Sequence, residues 1–283
     1  MIPVAFEYVR PTTVADAVAA LQAGGEDAKV LAGGQSLMPV LRLRLAAPSH
    51  VVDLGGIAAL RGVRLEGDDL VVGATATHAQ VSSSSLVASE SPLLAAVART
   101  VGDRQVRHRG TLGGSLAHAD PAGDLPAAVV ALDATIVVAG ASGQRSIPAR
   151  EFFTDVFTTA LAPDEVLVEV RVPRTPGWTA RYEKFHRTAQ AWAVVGVAAA
   201  VRRENGVIAE ARVAFTNAGP TPVRASGVEE AIRGAGDLAA VTAAAARAGE
   251  GTAPPSDPGG SADYRRHLVG VLTARAVAGA AGL

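Results

Sequence analysis

The stretches Ala32-Gly33-Gly34-Gln35-Ser36-Leu37 and Thr111-Leu112-Gly113-Gly114-Ser115 decide how this 283-residue sequence is interpreted. The first continues from Lys29-Val30-Leu31-Ala32, a segment that predicts a buried strand. Paired glycines after a strand let the chain turn sharply and bring backbone N–H groups against a ligand, which suits a diphosphate. Neither stretch is G-x-G-x-x-G or G-x-x-x-x-G-K-[ST], so neither a classical dinucleotide fold nor a P-loop is favoured. Taken singly, each is more typical of an ordinary tight turn.

Around the first glycine loop the sequence predicts a compact β-α-β unit. A strand at 4–9 ends before Pro11, and a helix begins after Thr12 or Thr13. Apolar residues recur through this helix at helical spacing, and Gly24-Gly25 provides its end. The loop then connects the next strand to a further apolar segment.

The remaining sequence predicts a mixture of short strands and helices. Strands at 63–65 and 70–73 are joined by a Gly67-Asp68-Asp69 turn. Two prolines and a glycine at 173–177 indicate a domain boundary, and three strand-like runs follow, at 180–185, 194–202 and 208–215. Two Ala-rich helices, at 238–248 and 262–278, complete what we interpret as a small α+β unit.

Composition excludes several classes of protein. The sequence has no cysteine, so it holds no iron–sulfur cluster, Cys-ligated zinc or disulfide of its own. A net charge of -1 argues against nucleic-acid binding. The most apolar window, at 191–201, is shorter than the roughly 20 residues of a membrane span and predicts a buried strand. No export signal is evident, so we expect a cytoplasmic protein without a membrane span.

Together with their flanks, the two loops resemble a known family. The motifs are the AGGQSLMP run at 32–39, VDL at 52–54, GATATH at 73–78, TLGGSLAHADP at 111–121 and AFTNAGPTPVRA at 214–225. They resemble the FAD-binding medium subunit of molybdenum hydroxylases, the xanthine dehydrogenase and carbon monoxide dehydrogenase group, over nearly the whole chain. The resemblance implies an α+β fold: a two-subdomain FAD-binding fold of the PCMH type, then a small α+β C-terminal domain with a three-stranded sheet and helices. The implied domains are 1–55, 56–175 and 178–283.

The resemblance also implies a set of cofactor-binding residues. Both glycine loops would wrap the FAD diphosphate, mainly through backbone N–H groups, and Asp124 would anchor the adenine-side ribose or nearby backbone. Leu167 and Lys184 would lie near the flavin, Trp192 would cover one ring face, and His78 would face the ligand. The full set is Leu31, Ala32, Gly33, Gly34, Gln35, Ser36, Leu37, His78, Thr111, Gly113, Gly114, Ser115, Asp124, Leu167, Lys184 and Trp192. No catalytic residue or metal ligand is expected.

Residue type alone allows plainer interpretations. Lys184 would be a solvated strand residue, Trp192 a core aromatic and Asp124 a helix N-cap. The basic cluster Arg99, Arg104, Arg107, His108 and Arg109 would either form a solvated face, offset diphosphate charge or meet a partner. Position 35 is Gln and the sequence has no Cys, so we expect FAD to be bound non-covalently.

The function implied is that of an electron-transfer subunit, passing electrons from partner [2Fe–2S] clusters through FAD to an external acceptor. Molybdopterin and [2Fe–2S] would belong to a large and a small partner subunit, with a dimer of heterotrimers as the assembly. Two alternatives stay open: a stand-alone FAD-dependent oxidase of a small molecule, and a non-catalytic nucleotide-binding module. The substrate of the holoenzyme would be bound by another chain.

Overall fold

A computed structural model describes residues 2–283. The strands are β1 (Glu7–Val9), β2 (Ala28–Leu31), β3 (His50–Asp53), β4 (Val63–Glu66), β5 (Asp69–Gly73), β6 (Thr135–Gly140), β7 (Gly143–Pro148), β8 (Phe153–Asp155), β9 (Thr158–Thr159), β10 (Val166–Pro173), β11 (Thr179–Phe185), β12 (Val195–Glu204), β13 (Val207–Thr216) and β14 (Val223–Arg224). The helices are α1 (Val14–Gly24), α2 (Leu37–Arg42), α3 (His78–Ser83), α4 (Ser85–Glu90), α5 (Pro92–Thr100), α6 (Arg104–Arg109), α7 (Leu112–His118), α8 (Asp124–Ala131), α9 (Ala149–Phe152), α10 (Ser226–Ala231), α11 (Leu238–Ala245) and α12 (Ala262–Ala281).

The first unit is a three-stranded parallel sheet of order β1-β3-β2, with α1 connecting β1 to β2. The Thr13 side chain caps α1 by accepting from the Asp16 N–H, and Gly25 ends the helix at φ +63°. The β-α-β prediction is confirmed, although β3 is inserted between its two strands. The expected burial of the second strand was wrong: β2 lies at the sheet edge, and Val30 is 36% exposed.

The second unit is built on a five-stranded antiparallel sheet of order β4-β5-β10-β6-β7. A core of aliphatic side chains from β5, β6 and β10 packs against α5, α7 and α8. A separate cluster joins Ala17, Val18 and Leu21 of α1 to Val137 and Val166 of this sheet. The first unit is therefore anchored to the second by apolar contacts, which fixes the cleft between them.

The third unit is an antiparallel sheet of order β11-β12-β13-β14 covered by α12. The apolar window at 191–201 supplies most of β12, whose first seven residues are buried, as predicted. The sheet has one strand more than expected, because Val223 and Arg224 pair with Phe215 and Ala214. In the described part of the chain, no helix has the length and apolarity to cross a membrane.

Candidate functional site

The two glycine loops meet at the carboxyl ends of the first unit's parallel strands. Ligands commonly bind at this edge of a parallel sheet. A Cβ added to Gly33 would lie 2.1 Å from the Arg109 carbonyl oxygen, at the start of the second loop. Glycine at this position is therefore what allows the two backbones to touch.

The first loop offers unpaired backbone donors. No described residue accepts a hydrogen bond from the N–H groups of residues 33–37. Gly34 has φ +75°, a left-handed conformation that favours glycine, and Ser36 caps α2 without using its side chain. Successive free N–H groups on a turn form an anion-binding concavity.

The second loop is arranged differently, because its own fold already uses the N–H groups of residues 112–115. Leu112 N–H donates to Ala76 O at 2.9 Å, and Gly113 N–H donates to Ala74 O at 2.9 Å. Gly114 N–H donates to Thr111 Oγ1 at 3.1 Å, and through this bond Thr111 acts as the N-cap of α7. Within residues 111–115 only Thr111 keeps a backbone N–H without an acceptor among the described residues, so this loop offers fewer free N–H groups than the resemblance implies. What it presents are hydroxyls: Thr111 Oγ1 accepts this bond and keeps its own proton free, and Ser115 lies one turn into the helix.

His78 lies beneath the second loop. Its backbone N–H donates to Gly110 O at 2.9 Å, and a Cβ on Gly110 would lie 2.7 Å from its Cδ2 atom. The imidazole is 4% exposed, and within residues 2–283 its Nδ1 has no hydrogen-bond partner. Burial, together with the nearby Arg107 guanidinium, lowers the pKa of His78 to about 4. The ring is held neutral as a support for the loop, and its predicted contact with the cofactor stays a prediction.

A polar cavity of about 280 Å³ opens beside the loops. Its walls come from both units and are rich in basic and hydroxyl groups: Arg10, Ala32, Asp53, Gly55, Arg61, Thr75, Thr77, His108, Arg109 and Thr111. Asp53 is engaged, because its carboxylate accepts from Tyr8 Oη at 2.5 Å and from Gly55 N–H at 2.8 Å.

A smaller, mainly apolar cavity of about 60 Å³ adjoins the polar one. Ala32 and Thr75 line both cavities, so the two form neighbouring compartments of one cleft. Gly113, Gly114 and the predicted site residue Leu167 contribute to the apolar walls. Leu167 lies at an irregularity in the pairing of β10 with β6. A cleft with polar and apolar compartments suits an elongated ligand that has a charged middle and flat, apolar ends.

Asp124 and Lys184 form a buried ion pair between the second and third units. Lys184 Nζ lies 2.8 Å from an Asp124 carboxylate oxygen, and Tyr182 Oη donates to the other oxygen at 2.6 Å. Burial raises the pKa of Asp124, and Lys184 and Tyr182 oppose that shift by stabilising the carboxylate. Burial and then the Asp124 carboxylate raise the pKa of Tyr182 well above its usual value. Asp124 is the first helical residue of α8 after its cap Gly123, so it is not the N-cap itself.

The other predicted residues take mixed positions. Gln35 is exposed at the loop tip, while Leu31 and Leu37 are half-buried on either side of it. Trp192 is 58% exposed on the segment between β11 and β12, which overturns its interpretation as a core aromatic.

The sequence did not single out Arg10 and Arg61 as site residues. Arg10 directly follows β1 and Arg61 follows a 3₁₀ turn, and neither belongs to a glycine motif. The available signal was positional, since Arg10 follows a strand whose carboxyl end borders the cleft. That signal depends on the strand order, which was not predicted.

Comparisons with known proteins agree with this geometry. Residues 4–175 match the family described as the FAD binding domain in molybdopterin dehydrogenase. Residues 180–280 match the carbon monoxide dehydrogenase flavoprotein C-terminal domain.

Relatives and solved structures match the chain from end to end. The chain is 42% identical to the carbon monoxide dehydrogenase medium chain of Hydrogenophaga pseudoflava, over 98% of this chain and 97% of that one. It is 31% identical to the xanthine dehydrogenase FAD-binding subunit of Escherichia coli O157:H7, over 95% and 94%. A solved carbon monoxide dehydrogenase from Hydrogenophaga pseudoflava superposes with a TM-score of 0.93 at 41% identity, covering 100% and 99%. The solved quinoline 2-oxidoreductase from Pseudomonas putida 86 superposes with a TM-score of 0.94 at 35% sequence identity, again covering 100% of this chain and 99% of that one.

Proposed function

Because the chain belongs to the FAD-binding medium-subunit family of molybdopterin dehydrogenases, we propose that it is the FAD-carrying electron-transfer subunit of a heterotrimeric molybdenum hydroxylase. Its place is between the [2Fe–2S] clusters of a small partner and an external electron acceptor, with molybdopterin on a large partner. The observation that carries the proposal is the meeting of two glycine loops across a cleft, one with free N–H groups and the other with free hydroxyls.

The residues around the cleft fit a diphosphate-containing dinucleotide. The N–H groups of 33–37 would hold phosphate oxygens, and the hydroxyls of Ser36, Thr111 and Ser115 add donors without adding charge. Side chains on Gly33 or Gly114 would fill this cradle: a Cβ on Gly114 would lie 2.7 Å from Thr111 Oγ1. FAD therefore suits both the shape and the donor set of the cleft.

FAD supplies one- and two-electron redox chemistry when it is bound. The chain's own residues bind and orient it. The apolar compartment at Leu167 shields a flat ring from water, and the ion pair of Lys184 with Asp124 fixes an ammonium group at the junction with the third unit. Neither role requires a nucleophile or a general base.

The finer organisation is part of the same proposal. We assign 1–55 and 56–175 to the two FAD-binding subdomains and 178–283 to the C-terminal domain. In the third unit, Lys184 and the exposed Trp192 are the candidates for contact with the flavin. A dimer of heterotrimers in the cytoplasm is the assembly we expect.

Flavin content tests the proposal directly. The purified chain should be yellow, with FAD rather than FMN released on heat denaturation. Gly114→Val should lose the flavin, because the new side chain collides with the Thr111 cap of α7. Gly227→Val is the matched control, since Gly227 lies in α10 with open space around its Cβ position.

Two results would overturn parts of the proposal. If added FAD changed neither the absorption spectrum nor the melting temperature of the wild-type chain, the proposed function would be wrong. If the Gly114→Val chain kept its full flavin content, the assignment of the second loop to FAD binding would be wrong. The stand-alone oxidase is tested by mixing the yellow chain with small reductants such as aldehydes or N-heterocycles. Bleaching by these alone would favour the oxidase, while bleaching only by a reduced iron–sulfur partner supports the subunit.

A further inference from the structure

We propose that Arg10, Arg61 and Arg109 form a cationic wall that binds the diphosphate of the dinucleotide, in addition to the glycine loops. The inference rests on the proposed FAD function, because that function supplies the anion. All three residues line the polar cavity of about 280 Å³, yet none belongs to either glycine loop. They come from three separate segments, namely the end of β1, the turn before β4 and the end of α6.

The basic residues of the cluster at 99–109 differ in their contacts. Arg107 Nη1 donates to Val101 O at 3.0 Å, so it braces the turn before α6. Arg99 Nε donates to Ser82 O at 3.3 Å. Arg104 is exposed and lies outside both cavities, whereas Arg109 lines the polar one. The Arg109 side chain makes no hydrogen bond or ion pair with the described residues, and it lines the polar cavity, so its guanidinium is available to a ligand.

Charge complementarity supports a diphosphate as the occupant. The cavity wall carries three arginines against one aspartate, a formal surplus of two positive charges when His108 is neutral. The diphosphate diester of FAD carries two negative charges. The single acid has its partners within the protein: Asp53 accepts two hydrogen bonds, and Arg10 Nε lies 3.7 Å from its carboxylate. Guanidinium groups suit phosphate oxygens because their planar donors bind two oxygens at once.

The wall is partly pre-organised. Arg10 and Arg61 both donate to the Gly55 carbonyl, which brings two like charges to one point. The Asp53 carboxylate, 3.7 Å from Arg10 Nε, balances one of these two charges, so the pair keeps a surplus of one positive charge for an anionic ligand. Arg109 approaches from the opposite unit, and its own carbonyl contacts Gly33. An anion bound here would therefore be held by both units at once.

The test compares Arg109→Gln with Arg104→Gln, a matched change on the same helix that lies outside the cavity. FAD is removed from each chain, and FAD and riboflavin are titrated back by following flavin fluorescence. Because these side chains are solvent-exposed and therefore partly screened, we expect Arg109→Gln to weaken FAD binding by about tenfold. Riboflavin has no phosphate, so its affinity should not change. Added salt should weaken FAD binding to the wild type more than to Arg109→Gln.

Equal FAD affinities for the Arg109→Gln and Arg104→Gln chains would overturn the proposal. An equal loss of FAD and riboflavin affinity would also overturn it, since it would mean a general disturbance of the cleft. Arg10→Gln, on a different segment, provides a second variant if Arg109→Gln fails to fold. If the wild type bound no FAD, the proposed function would fall instead, so the two failures are distinguishable.

Discussion

His78 should make the folded chain sensitive to acid. Burial and the Arg107 charge hold its pKa at about 4, whereas an unfolded histidine titrates near 6.5. Above pH 6.5 the side chain is neutral in both states, so full stability is present. As the pH falls, the unfolded chain takes up the proton first, and stability is lost between pH 6.5 and about 4. From these two pKa values, the loss from this one group is about 2 kcal/mol at pH 5 and about 3 kcal/mol at pH 4.

Urea unfolding of the wild type and of His78→Gln, from pH 7.5 down to pH 4, measures this contribution. Other groups titrate in both chains, so the difference between the two curves isolates His78. We expect His78→Gln to be the less stable chain at pH 7.5, because it changes a buried side chain beneath Gly110. Its disadvantage should shrink as the pH falls, by the amounts above. Parallel curves, or a His78 NMR signal that titrates near pH 6.5, would refute the reasoning.

Two further substitutions test the contact between the glycine loops and the buried ion pair. Gly33→Ala should separate the loops and abolish flavin retention, since its Cβ would lie 2.1 Å from Arg109 O, while Gly227→Ala in open space should keep full flavin absorbance. Equal flavin content in the Gly33→Ala and Gly227→Ala chains would show that FAD binding does not depend on the contact between the two loops. Lys184→Met should cost about 3 to 5 kcal/mol of unfolding free energy, because it leaves the buried Asp124 carboxylate without a compensating positive charge. In urea unfolding, adding Asp124→Asn to Lys184→Met should recover part of that loss, and no recovery would argue against the pairing.

The parts of the site that could be predicted are local in sequence. Gly33 and Gly34 follow a strand directly, and the Thr111 cap lies three residues before Gly114, so each loop carries its own signal. The ion pair between Asp124 and Lys184 joins positions 60 residues apart, and nothing in either flank specifies the partner.

The errors have a common physical origin in tertiary placement. The segment 29–32 was expected to be buried, but its Val30 lines the apolar cavity, and a cavity wall and a core strand select the same residue types. The second loop looked like a source of free N–H groups, but Ala74 and Ala76 provide carbonyl acceptors from a segment almost 40 residues away. The spacing of apolar residues indicates which side chains are shielded from water. Only the folded structure shows whether protein or ligand covers them.

The asymmetry between the two loops has an energetic consequence. The first unit supplies the unpaired N–H groups of residues 33–37 together with Ser36 and Arg10, and the second supplies Thr111, Ser115 and Arg109, so the full set of donors exists only where the two units meet. A ligand that binds only where the units meet stabilises their junction by mass action, by about 2.7 kcal/mol at a free concentration one hundred times its Kd. This stabilisation depends on the contact at Gly33, because any residue with a side chain there would hold the two loops apart. We therefore expect flavin binding and the docking of the first unit onto the second to be coupled, so that losing the contact at Gly33 weakens both.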